Sequence, residues 1–224
     1  MNNTLKNIFK FFTISVVLGL SFSCEEERPE EKQTTCDFSQ EEMFVDYGAL
    51  VVNNFSQLGD KLDELESAAT NLKPELNDQN IADLKNKLNE AYLAYQSCSM
   101  FDFGPGSING LPYTERFDTY PTNQSLVKEN AKNGVTDVNS LFKSQVGFPA
   151  LEFLIYAADT IFTEGRNSLS EDLIHQHLLA LIGDMKLKTN ELLNEWQSSY
   201  ATSFASNTGT ADGSSLSLLA KPAP

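Results

Sequence analysis

SQEEMFVDYGALVVNNFSQLGDKLDELESAATNL, residues 39–72, decides the fold. Phe44, Tyr47, Val51, Phe55, Leu58, Leu62, Leu65, Ala69 and Leu72 step by three or four, which is the period of one face of an α-helix. Ser39 and Glu42 stand at the spacing of a capping box at its start. A helix of this length rises about 1.5 Å per residue and is not stable without packing partners. The partners are written further along. Pro74 closes the connection, Asp78 is placed to cap a second helix, and Ile81, Leu84, Leu88, Ala91, Tyr95 and Cys98 form its seam. Ser168 and Glu171 make another capping box before Ile174, Leu178, Leu181, Met185, Leu192, Trp196 and Ser199. A shorter helix starts near Pro149, with Leu151, Leu154, Ile155, Ala158 and Phe162 at helical spacing. No segment sustains the period-two alternation of a strand. The expected fold is all-α: an up-and-down bundle of four main helices with one long ordered loop.

Working outward, the N-terminus is a targeting segment and not part of that bundle. Lys6 and Lys10 precede the apolar run Phe11 to Phe22, and Ser21-Phe22-Ser23-Cys24 follows it. This resembles a bacterial lipobox, in which Cys24 is lipidated; an ordinary cleaved signal is the alternative. Glu25-Glu26-Glu27-Arg28-Pro29-Glu30-Glu31-Lys32 is too polar to bury and reads as a solvated tether. The expected organisation is a leader over residues 1–23, a tether over 24–37 and a bundle over 38–205. A Ser-, Thr- and Gly-rich linker and the broken start of a further helix follow over 206–224. A truncated chain and a single-bundle variant both fit that end. The location implied is the cell envelope, lipid-anchored to the outer membrane and facing the periplasm or the cell surface.

The 224 residues carry 31 acidic against 16 basic side chains, a formal charge of −15. Nucleic acid is excluded as a partner, because phosphate binding needs a basic face. Of the remaining cysteines, Cys36 and Cys98 either pair, as export to an oxidising compartment permits, or Cys98 is a buried thiol on its helix seam. His175 and His177 are two apart, so on a helix they point about 200° from each other and cannot chelate one ion in the usual way. His177 borders the core on this reading, and His175 faces water.

Met100 to Pro121 interrupts the helices. Gly104-Pro105-Gly106, Asn109-Gly110, Pro112 and Pro121 form turns. Phe101, Phe103, Tyr113, Phe117 and Tyr120 are too apolar for a free linker, so the loop should fold back on the bundle. Thr122 to Asn133 reads as a short helix stopped by Gly134, and Asp137 to Ser144 as another short piece. Next comes VGFPALEFLIYAAD, residues 146–159, in which Glu152 is the only charge before Asp159. Pro149 suits the first turn of a helix. Glu152 then falls near the positive helix end, where the dipole favours a carboxylate.

Three pieces carry a resemblance. Gly147-Phe148-Pro149-Ala150-Leu151-Glu152-Phe153-Leu154 resembles the Gly-x-His-x-x-Glu segment of the imelysin family of bacterial cell-envelope proteins, also called iron-regulated protein A-like or M75 peptidase-like. Phe101-Asp102-Phe103-Gly104-Pro105 resembles the family's aromatic-Gly-Pro segment, and Phe117-Asp118-Thr119-Tyr120-Pro121-Thr122 its Asp-x-Trp-Pro segment. The similarity covers Phe38 to Leu219. It implies a helical bundle and an association with iron acquisition. The departure is at Pro149, where the family has histidine. A His three residues before a Glu shares one helix face and can share a metal with it. Proline has no lone pair to give. The resemblance leaves Glu152, supported by Asp118 and Asp102, as the metal-binding candidates, and oxygen ligands alone favour iron, calcium or magnesium over zinc. It also implies envelope uptake partners. Peptidase activity is disfavoured: there is no HExxH and no G-x-S-x-G, the two histidines are misplaced, and the motif histidine is Pro149, whereas hydrolytic zinc needs about three protein ligands. A non-catalytic binding protein, an M75-type metallopeptidase-like protein and an inactive fragment are the competing functions.

Overall fold

A computed structural model describes residues 39–73, 76–108, 111–156, 168–211 and 213–220. The leader, Cys24, the tether and Cys36 lie outside the described residues. The amphipathic stretch at residues 39–72 forms α1, Gln40–Asn71. Ser39 caps it by accepting the Glu42 amide at 3.3 Å, which satisfies one of the donors a helix start leaves open. Phe44, Val51, Phe55, Leu58, Leu62, Leu65 and Ala69 on the expected stripe are fully buried. Each large side chain so buried contributes roughly 1.5–3 kcal/mol.

The second stripe becomes α2, Asp78–Gln96, with one correction: its cap is Asn77, whose side chain accepts the Asn80 amide at 2.8 Å, and not Asp78. The loop that follows carries a short antiparallel ladder, β1 (Ser107–Ile108) against β2 (Leu111–Pro112). It also carries a single helical turn, α3 (Thr114–Phe117). Next come α4 (Gln124–Lys132) and α5 (Gly147–Tyr156), with 3-10 turns at Val138–Ser140 and Lys143–Gln145 between them. The last long element is α6, Ser168–Glu195. It passes through a π turn, Trp196–Tyr200, into α7, Ala201–Ser206.

α1 packs on α2 and on α6, and α5 closes the ring by packing on both α2 and α6. Four main helices thus surround one core, as expected. α4 lies against α5 and α6, and α7 against α1. Among the described residues no helix is long and apolar enough to cross a membrane. Past residue 205 the chain turns back, the Ser215 amide donating to the Asn207 carbonyl at 3.2 Å, and a short helix begins where a broken helix start is expected. Ser214 caps α8 (Ser215–Leu219), and Ser215 is buried with its hydroxyl donating to the Phe204 carbonyl.

The loop folds back because its rings are core. Phe101 packs on Tyr47 and Phe55, Tyr113 on Phe55 and Tyr95, and Phe117 stacks on Tyr95 with centroids 5.7 Å apart. The Tyr113 hydroxyl donates to the Cys98 carbonyl. Tyr120 departs from the expectation: it is 82% exposed. Cys98 is a free, buried thiol, and burial pushes its pKa up to about 12. His175 also departs, since it is buried and its Nε2–H donates to the Ala69 carbonyl at 2.9 Å, tying α6 to α1. His177 is fully buried, with Nδ1–H donating to the Val135 carbonyl at 2.6 Å. Burial lowers its pKa, which keeps the ring neutral.

Candidate functional site

The site is built on α5. Val146 enters in an extended conformation, and Gly147 turns the chain with φ 77°. A side chain there is disfavoured twice over: the conformation is left-handed, and a Cβ would run into the Phe117 carbonyl, with the Arg116 carbonyl oxygen 2.7 Å away. The end of α3 therefore sits directly against the start of α5. Pro149 occupies the first turn, as its lack of an N–H permits. Glu152 is the sixth residue of α5, a turn deeper than the helix-dipole reading requires, and that turn holds no acidic residue at its start. It is exposed and makes no hydrogen bond or ion pair with any described residue.

Pro149, Glu152 and Tyr156 follow one another at i, i+3 and i+7, so they share a helix face. That face is one wall of a cleft of about 390 Å³. α2 gives the opposite wall through Leu88, Asn89 and Tyr92, and the loop after α3 adds Asp118 and Tyr120, with Phe148 completing the lining. The Tyr92 hydroxyl donates to Asp118 Oδ2 at 3.1 Å. Burial raises the Asp118 carboxyl above its ordinary range, and the Tyr92 hydrogen bond partly opposes this. Burial, then the Asp118 charge, raises Tyr92 in turn.

The three acidic candidates are not all brought together. Glu152 and Asp118 share the cleft, whereas Asp102 does not line it. Asp102 accepts the Thr114 hydroxyl at 2.6 Å on Oδ2, while its Oδ1 is buried without a partner, and burial raises its pKa. Among the described residues no group of three or more His, Cys, Asp or Glu side chains gathers as a metal site. The donor set does not fit hydrolytic zinc, which takes about three protein ligands and an open position. Two carboxylates suit a hard cation completed by water.

Sequence reasoning missed Asn89, Tyr92 and Tyr156. The i+4 step from Glu152 to Tyr156, and from Leu88 to Tyr92, was available as a signal. It also missed Arg116, whose guanidinium donates to the Leu141 carbonyl at 2.8 Å and to the Val138 carbonyl, and lies 3.4 Å from Asp184. This clamp fixes the end of α3, and with it Asp118.

A ring of helices around one core, with a carboxylate and aromatic cleft between α2 and α5, defines a helical-bundle protein with a candidate binding site. The imelysin family model, of the peptidase M75 group, matches residues 51–220, most of the chain, and the chain belongs to that family. The match takes in all three segments on which the resemblance rests. Searches of curated proteins and of solved structures found no match.

Proposed function

We propose that this imelysin-family chain is a non-catalytic binding protein of the cell envelope, held there by a lipid on Cys24, and that it takes its ligand in the cleft between α2 and α5. The observation that carries this reading is the lining itself. Glu152 makes no hydrogen bond or ion pair with any described residue and lines the cleft beside Pro149, the position at which the family's histidine would supply a nitrogen ligand. The site keeps a carboxylate pair and loses the donor that hydrolytic chemistry would require. The family's association with metal acquisition points to iron or another hard cation, held weakly by Glu152 and Asp118.

Titration calorimetry of the parent, Pro149→His and Glu152→Gln with iron, zinc and calcium tests the cleft. Pro149→His is expected to strengthen metal binding and Glu152→Gln to weaken it. Identical behaviour of all three would make the motif a structural remnant. The anchor is tested by clickable fatty-acid labelling in cells, which Cys24→Ala should abolish. Equal labelling of the variant overturns that part.

A further inference from the structure

A volume of about 390 Å³ is more than a metal ion and two carboxylates need. It corresponds to roughly a dozen waters at about 30 Å³ each, within the usual range of small-molecule pockets. Its lining is unusual in a second way. Four of its nine residues are aromatic: Tyr92, Tyr120, Phe148 and Tyr156. Phe148 and Tyr92 meet edge to face with centroids 5.2 Å apart, so they form a rigid inner corner. Tyr120 and Tyr156 stand at the rim, 82% and 54% exposed. Glu152 and Asp118 add two carboxylates to these rings.

The chain itself shows what such a ring attracts. Lys85 of α2, one turn before Leu88 and Asn89, holds its ammonium over the Tyr156 ring, 5.2 Å from the centroid. That is a cation–π contact at the cleft edge. Resting on the reading of this cleft as the ligand site, we propose that it binds a small organic cation of the ammonium or guanidinium class, seated between the tyrosine rings and the Glu152 and Asp118 carboxylates. An organic cation is weakly hydrated and can use aromatic faces, whereas calcium or magnesium demands six or more oxygens. A neutral ligand of the same shape would leave both carboxylates without a counter-charge. The overall charge of −15 also favours the approach of cations.

The test is calorimetry on the whole chain with choline, its uncharged tert-butyl analogue and calcium. Choline is expected to bind roughly tenfold or more tightly than the uncharged analogue, the range that a cation–π site and a carboxylate supply. Tyr156→Ala and Glu152→Gln should each weaken choline several-fold, and Tyr156→Phe should retain it. Lys85→Met should tighten it by vacating the ring and removing a like charge. Circular dichroism confirms that each variant folds, and the exposed positions of Glu152 and Tyr156 favour this. Equal affinity for the uncharged analogue, no saturable choline binding, or indifference to Tyr156→Ala each overturns the proposal. Calcium binding lost in Glu152→Gln, without choline binding, would leave the cleft as the ligand site and remove only the organic cation. Binding of neither overturns the organic cation, and the cleft reading then stands or falls on the iron titration.

Discussion

Pro149 changes what the cleft can hold without disturbing the helix that carries it. The first turn of a helix leaves its amides unpaired, so proline there costs no intrahelical hydrogen bond. The ring simply replaces a potential ligand with an apolar surface in the lining shared with Asp118 and Tyr120. Gly147 shows the opposite kind of constraint, since its left-handed conformation and the pressing Phe117 carbonyl leave room for no side chain. Both residues were identifiable in the sequence as parts of a motif, but only the fold gives the reason for the glycine. The acidic residues divide in the same way. Glu152 and Asp118, far apart in sequence, meet at one cleft, because α3 ends against the start of α5. Asp102 belongs to the same loop as Asp118 but is taken up by Thr114. A loop without periodicity gives no rule for which of its carboxylates turns towards a helix, and that part of the site could not be read in advance.

At the scale of elements, the long amphipathic stripes of α1, α2 and α6 were legible because burial of one face repeats every turn. What periodicity does not encode is the pairing of their polar faces. Lys61 and Glu64 of α1 and Lys87 and Glu90 of α2 form a closed square of four ion pairs, with distances from 2.8 to 3.2 Å. The Lys87 and Lys61 hydrogen bonds hold the Glu64 carboxyl at about 2, well below its ordinary 4.5, and Glu90 is lowered by Lys61 and Lys87. The same contacts raise Lys61 and Lys87. The sign follows from linkage. A lowered carboxyl stabilises the fold above pH 4.5 and loses that contribution as the pH falls towards about 2. A raised lysine stabilises it below its ordinary 10.5 and loses that contribution above. The square is solvent-facing, so its effect is modest and screened by salt. Glu64→Gln is therefore expected to flatten the fall in melting temperature between pH 4.5 and about 2 relative to the parent, at low salt more than at high salt. Superimposable acid limbs for parent and variant would show that the square contributes nothing.

At the scale of the whole molecule, the joint between loop, bundle and cleft is Arg116. Nothing in the sequence singled it out, because a lone arginine between a glutamate and a phenylalanine reads as surface. Its side chain is 18% exposed, and that of its partner Asp184 on α6 only 3%. Lys188, one turn further along α6, also pairs with Asp184 at 2.7 Å and reaches Asn139 at 3.2 Å. Arg116 meanwhile holds the carbonyls of Val138 and Leu141. One guanidinium thus fixes α3, the 3-10 segment before α5 and the long helix α6 in a single arrangement. Arg116→Met would take the guanidinium donor from the Leu141 carbonyl, leave the Val138 carbonyl only the Leu141 amide at 3.2 Å, and leave a nearly buried carboxylate with one counter-charge. Breaking a buried pair from one side costs about 3–5 kcal/mol, and the retained Lys188 places this variant at the lower end, near about 3 kcal/mol. Arg116 also precedes Asp118 by two residues, and Phe117, between them, presses on Gly147. The variant should therefore lose stability in denaturant and also weaken ligand binding in the cleft, although Arg116 does not line it. Asp184→Asn, which keeps an acceptor for Lys188, should cost less, and the two changes together should cost less than their sum. A denaturation midpoint for Arg116→Met equal to that of the parent, or strict additivity in the double variant, would refute the clamp.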